Sequence, residues 1–178
     1  FETANRRNTL PPYHDVVNMS SQNPLPLKIL FAASEAQPLI KTGGLADVSA
    51  ALVSALFNEG ADVHVALPDY RSIFRGRLAP FLEREQWAIR NVMPDDRVHL
   101  AEDRAFFYLN RVYSAYGGEN TKLSLAFQRE VINNIIPRVQ PDLIHCNDWM
   151  TGLLPAMARQ MGIPCLFTIH NIHTVKST

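Results

Sequence analysis

Three short groups of residues carry the chemistry of this sequence. The first, Lys41-Thr42-Gly43-Gly44, ends a segment that opens at Ser34-Glu35 and runs on to Asp47. A glycine pair lets backbone approach a ligand without Cβ interference, a following helix offers partial positive charge, and Lys41 adds a mobile full charge. That set suits a pyrophosphate. It equally suits a turn beside a solvated lysine, and it matches neither G-x-G-x-x-G nor G-x-x-x-x-G-K-[ST]. Asp47, in the first helical turn, also serves simply to stabilise a helix N-terminus. The second group, Asn147-Asp148-Trp149, sets an acid beside an indole, a pairing that recognises sugar hydroxyls and stacks on a sugar face, or else caps a helix next to a core Trp. The third, His170-Asn171-Ile172-His173, offers an imidazole and an amide for hydroxyls or a carbonyl. His170 and His173 without a third ligand make a poor metal site, so no metal and no cofactor are expected. His145, inside an apolar run, reads as a core histidine.

These groups need elements to hold them. Leu27 to Ala33 is a short apolar run typical of a strand buried on both faces. Leu45, Val48, Leu52 and Leu56 form a helical stripe that predicts a helix from Leu45 to Glu59, with Gly60 at its C-terminus. Asp62 to Leu67 is a second strand ending at Pro68, which completes a right-handed βαβ unit. The stretch from Arg71 to Asn110 is irregular, with short edge strands or hairpin arms expected at Gln86 to Val92 and Arg104 to Leu109. An amphipathic helix is predicted from Thr121 to Val139, stopped near Pro137 and Pro141. A strand over 142–146, a helix over 149–161 whose regular part starts near Thr151 because of Pro155, and a strand over 163–169 complete the pattern. Strands alternating with helices imply a Rossmann-like, doubly wound, mainly parallel α/β sheet, with all three groups in loops at its carboxyl edge. The loop from Ser34 to Gly44 exceeds the about two to six residues usual for such connections, which is itself a mark of function.

Composition bounds the rest. The chain has 178 residues, 47% hydrophobic and 19% charged, as in an ordinary soluble globular domain. Residues 1–26 are rich in Asn, Pro and Ser and read as a tail or linker; 27–178 form the domain. Seventeen basic and seventeen acidic residues give zero formal charge, which argues against a nucleic-acid or membrane partner. Cys146 and Cys165 lie in apolar runs and read as reduced core residues of a cytosolic protein. No secretory signal is visible, and the end at Thr178, soon after a strand, is expected to be a truncation.

Lys28 to Val48 reads KILFAASEAQPLIKTGGLADV and resembles the opening of bacterial glycogen synthases and plant starch synthases, glycosyltransferase family 5, with their K-T-G-G-L-x-D-V block. Leu67-Pro68-Asp69-Tyr70, HCNDWMTGLLPA from His145 to Ala156 and TIHN from Thr168 to Asn171 support the likeness, which spans about residues 27 to 173. The resemblance implies the N-terminal half of a two-domain GT-B fold, and retaining transfer of glucose from ADP-glucose to the non-reducing end of an α-1,4-glucan. Under it Lys41 contacts the donor phosphates, Gly43 and Gly44 admit the main chain to pyrophosphate and glucose, and Asp47 orients that loop or a hydroxyl. Glu35 and Asp148 lie on the acceptor side or beside the reacting sugar, Trp149 lines the cleft, and His170 with Asn171 binds the transferred glucose; Asp148 and His170 are the catalytic candidates. The common second block is H-A-H-D-W-H, so Asn147 and Met150 depart from it. The nucleoside pocket, the cationic pair for the leaving phosphate and an acidic motif belong to a C-terminal domain that this chain lacks, so the fragment alone is expected to be inactive. The implied compartment is the bacterial cytoplasm or a plastid stroma. A GT-B enzyme with a small sugar acceptor, such as a sucrose-synthase relative, and a non-catalytic glucan-binding module stay open as alternatives.

Overall fold

The computed structural model describes residues 25–36, 43–73 and 95–170. Five strands form one parallel sheet: β1 (Lys28–Ala32), β2 (Asp62–Pro68), β3 (Val98–Ala101), β4 (Leu143–Asn147) and β5 (Cys165–Thr168), in the order β3-β2-β1-β4-β5. This is the predicted doubly wound α/β architecture. Strand β1 is central and nearly all buried because Ile29, Leu30, Phe31 and Ala32 are apolar on both faces.

The two faces have separate cores. Phe31, Val63, Val65 and Leu67 pack beneath helix α1 (Gly44–Asn58), whereas Leu30, Ala32, Ala66, Ile144 and Cys146 face the helices on the other side. Strand periodicity dictates this division, since successive side chains point to opposite faces. Helix α1 follows the expected span, but its buried stripe is Leu45, Ala46, Ser49 and Val53, with Leu52 and Leu56 flanking; Val48 is exposed. Small Ala46 and Ser49 let the helix backbone come close to the sheet, which rotates Val48 out. Gly60 and Gly162 both have positive φ, as expected of residues that end helices.

Three elements differ from expectation. Val98–Ala101 is a strand that the sequence did not announce, its alternation being only four residues long. Arg104–Phe107 is a helical turn, α2, not a hairpin arm, because the Asp103 carboxylate accepts the N–H of Ala105 at 2.8 Å and caps it. The long helix α3 begins earlier, at Gly117, and runs through a π-helical turn at Val131–Ile135 to Val139. That widened turn places Pro137 at the start of a new helical segment, where its missing N–H costs nothing, so the helix passes Pro137 instead of stopping. It ends at Gln140, in the left-handed conformation, whose N–H binds the carbonyl of Ile136 at 2.8 Å.

The region 149–161 splits into a 3₁₀ turn (Trp149–Thr151) and α4 (Leu154–Gln160), with Pro155 in the first turn of α4. Gln128 of α3 accepts the N–H groups of Leu153 and Leu154 at 2.6 and 3.0 Å and so seats α4 on α3. Leu25 and its neighbours before β1 have no regular structure; most of the expected tail, the expected strand at 86–92, Lys41 and Asn171 lie outside the described residues. Among the described residues, no helix is long and apolar enough to cross a membrane.

Candidate active site

Chain direction across the sheet reverses between β1 and β4, and in open parallel sheets ligands bind outside the carboxyl ends of such a pair. Glu35 lies just beyond β1, Asp148 directly follows β4, and His170 stands beyond β5. One edge of the sheet therefore gathers the candidate residues.

Glu35 is almost fully buried, with 2% exposure. Its Oε1 accepts the Tyr113 hydroxyl at 2.9 Å, and its Oε2 accepts the N–H of Gly43 at 3.2 Å. Because the single Tyr113 proton goes to Glu35, the Ser34 hydroxyl donates to Tyr113 Oη, at 2.8 Å. The chain Ser34–Tyr113–Glu35–Gly43 ties the segment after β1 to the start of α1 and to the approach to α3. Burial, with Glu35 alongside, raises the Tyr113 phenol well above its usual range, partly offset by the Ser34 bond. Its ring lies 5.9 Å from that of Trp149, tilted by 46°, and Trp149 itself packs partly on the core. Sequence reasoning missed Tyr113, which sits in an irregular stretch with no period to flag it.

Gly43 is extended, at φ −157°, and neither it nor Gly44 has positive φ. A Cβ built on Gly44 meets nothing within 4 Å, and one on Gly43 meets only Glu35 Oε1, at 4.0 Å. Neither local conformation nor internal packing among the described residues calls for these two glycines. Both are exposed, as is Asp47 in the first turn of α1.

Asp148 has φ 61° and ψ −177°, a region that essentially only glycine visits and that costs about 1–3 kcal/mol. Its main chain is held on both sides: the N–H donates to the Thr168 carbonyl at 2.9 Å, and the carbonyl accepts Thr151 N–H and Oγ1–H at 3.0 and 2.9 Å. The side chain is not a helix cap; Oδ1 accepts the His170 N–H at 3.3 Å. Asn147, wholly buried, lies against His170 Nε2 at 2.9 Å. His145 is the core histidine that was expected, with Nε2 against Thr168 Oγ1 at 2.8 Å, and burial followed by the nearby His170 lowers its pKa.

The structure thus joins Glu35 to Gly43, Asp148 to His170, and Trp149 through Tyr113 to Glu35. Half-buried Asp148, Trp149 and His170 supply a carboxylate, an indole face and an imidazole, which together suit a polyhydroxylated ring. Among the described residues, no group of three or more His, Cys, Asp or Glu side chains is arranged to hold a metal ion. Cys146 and Cys165 are free thiols, and burial pushes both thiols up.

Comparison with known proteins places the chain in a family and a fold. The chain is 36% identical to a glycogen synthase of Exiguobacterium sibiricum over 82% of this chain and 35% of that protein, and 35% identical to one of Clostridium beijerinckii with the same coverage. It therefore spans about a third of the length of these relatives. Among solved structures, the catalytic domain of starch synthase IV from Arabidopsis thaliana, bound to ADP and acarbose, matches with a TM-score of 0.56 and 22% identity, over 82% of this chain and 34% of that one. That likeness shows a shared fold, the Rossmann-like α/β fold expected of one half of a GT-B glycosyltransferase. The model of the starch synthase catalytic domain matches residues 28–177, so the chain belongs to the glycogen and starch synthase family.

Proposed function

We propose that the protein containing this chain transfers glucose, with retention, from ADP-glucose to the non-reducing end of an α-1,4-glucan, and that these residues form the acceptor-side, N-terminal half of its cleft. The observation that carries the reading is that Glu35, bound to Gly43, and the linked pair Asp148 and His170 stand at the same carboxyl edge of a sheet whose chain belongs to this family. The ADP and acarbose bound to the Arabidopsis relative are consistent with a nucleotide-sugar donor and a glucan acceptor.

Each residue then has a physical task. Gly43 and Gly44 leave room for the donor to lie against the N-terminus of α1, where backbone N–H groups and Lys41 attract its phosphates. Because Glu35 takes the N–H of Gly43, the donors left for an anion begin at Gly44. Asp47 adds a carboxylate that orients the loop or a hydroxyl. Asp148 and His170 hold hydroxyls of the reacting sugar, Asn171 extends that contact, and Trp149 backed by Tyr113 forms the apolar wall. Loss of a nucleoside diphosphate builds negative charge in the transition state, and groups aimed at that charge supply most of the acceleration. Those groups, with the nucleoside pocket, are assigned to the remainder of the protein. The reaction belongs to the cytoplasm of a bacterium or to a plastid stroma.

Calorimetric titration of the chain with maltoheptaose and, separately, ADP-glucose tests this. Weak glucan binding that disappears in Asp148→Ala, with faint donor binding that weakens in Lys41→Ala, is the expected result. Strong donor binding without any response to glucan, or binding of neither, would overturn it.

A further inference from the structure

Asn147 departs from the common form of its motif, which has histidine there, and its surroundings give it a definite task. Its side chain is wholly buried. One end of the amide lies 3.2 Å from the carbonyl oxygen of Ala32 and 3.2 Å from that of His145. Both are acceptors only, so that end is the NH₂ and the other end is the carbonyl oxygen. That oxygen faces His170 Nε2 at 2.9 Å. An amide oxygen has no proton to give, so the proton on this contact is on the ring. In the neutral imidazole Nδ1 is then a bare lone pair, and no described residue hydrogen-bonds to it.

We infer that Asn147 is a positioning residue that locks His170 in its Nε2–H tautomer, so that Nδ1 is a hydrogen-bond acceptor for a sugar hydroxyl. The ligand half of this inference rests on the proposed glucosyl transfer; the tautomer half rests on geometry alone. An acceptor at this position takes a hydroxyl and gives no hydrogen bond to a carboxylate, which favours a neutral hexose over a uronic acid. Asparagine also has no ionisable proton, so the Asn147 oxygen stays an acceptor at any pH, which a histidine in its place would not. The β1–β4 pairing supplies part of the lock, because the amide is oriented by the last residue of β1, Ala32.

The test is two-bond ¹H–¹⁵N correlation spectroscopy on the ¹⁵N-labelled chain at about pH 8, above the ordinary imidazole range. Loss of one ring's signals in His170→Gln assigns His170. A protonated Nε2 and a bare Nδ1 are expected, replaced by a tautomer mixture in Asn147→Leu. A protonated Nδ1 in the wild-type chain, or an unchanged pattern in a folded Asn147→Leu, would overturn the lock; if Asn147→Leu does not fold, the smaller truncation Asn147→Ala makes the same comparison. On addition of ADP-glucose the Nδ1 signal should move, and a static Nδ1 while other signals of the site shift would overturn its ligand role. Failure of glucosyl transfer in the longer protein leaves the tautomer result standing, so the two readings fail separately.

Discussion

Asp148 combines a strained backbone with a side chain proposed to bind the sugar, and the two can be separated by substitution. Glycine relieves the strain of about 1–3 kcal/mol but enlarges the entropy of the unfolded chain by roughly 0.5–1 kcal/mol and forfeits the bond to His170. Asp148→Gly and Asp148→Ala both lose that bond and are both expected to abolish glucan binding, so the strain shows in their difference: the glycine variant is expected to be the more stable of the two by about 1 kcal/mol, and thermal melts beside calorimetry give the comparison. A melting temperature for the glycine variant no higher than that of the alanine variant would show that the main-chain geometry is not strained. Tyr113 makes the complementary case. Tyr113→Phe leaves the nearly buried Glu35 and Ser34 each short of a partner, at a cost of about 1–3 kcal/mol, and frees the Gly43 end of α1. Urea unfolding measures the first effect, and weakened glucan binding the second. Asp148 was legible in the sequence as an acid beside an indole, but its backbone was not, since φ follows from what the rest of the fold does to the residue.

At the scale of elements, β2 and β3 carry a pair that neither strand shows alone. His64 Nδ1 and His99 Nε2 lie 2.9 Å apart with stacked rings, and Arg97 donates to His64 Nε2 at 3.0 Å while also pairing with Asp62. His99 is pushed down to about 4, first by burial and then by His64, with Arg138 and Arg97 acting in the same sense and Asp96 against them. His64 is lowered too, first by burial and then by Lys28, with Asp96 opposing. The unfolded chain takes up these protons near pH 6.5, whereas folded His99 resists until about 4. Their neutral forms therefore support the fold fully above about pH 6.5, and that support is lost as the pH falls toward 4, by up to about 1.4 kcal/mol per pH unit for each resisting site. Urea unfolding at pH 7, 6 and 5 should show this decline, flattened in His99→Gln; equal slopes in the two proteins would count against the pairing. Helices were the more legible elements because α1 and α3 are long enough to display a period. β3 and α2 were not, since each is four residues long and is decided by its neighbours: β3 by the ladder to β2, α2 by the Asp103 cap and the packing of Phe106 on Tyr70.

For the whole molecule, the chain builds one wall of the proposed cleft. Carboxylates and rings collect along it, whereas the cationic groups that a departing diphosphate demands are assigned elsewhere, apart from Lys41. The 178-residue chain is thus expected to show no glucosyl transfer from ADP-glucose to maltoheptaose, although it binds the glucan weakly. Radiolabel incorporation at the rate of an intact family member would contradict the division of labour. The sequence by itself determined the doubly wound sheet, because apolar runs and amphipathic stripes alternate along it. It also determined the edge at which Glu35, Gly43, Asp148, Trp149 and His170 gather, because loops after parallel strands have nowhere else to converge. Only the tertiary structure decided which of these side chains touch, that Tyr113 belongs among them, that Asn147 lies against His170, and that Asp148 is strained. Those facts are contacts between residues far apart in the chain, such as Tyr113 with Glu35 and Asn147 with Ala32 and His170, and no local period records a contact that exists only once the sheet has brought its strands together.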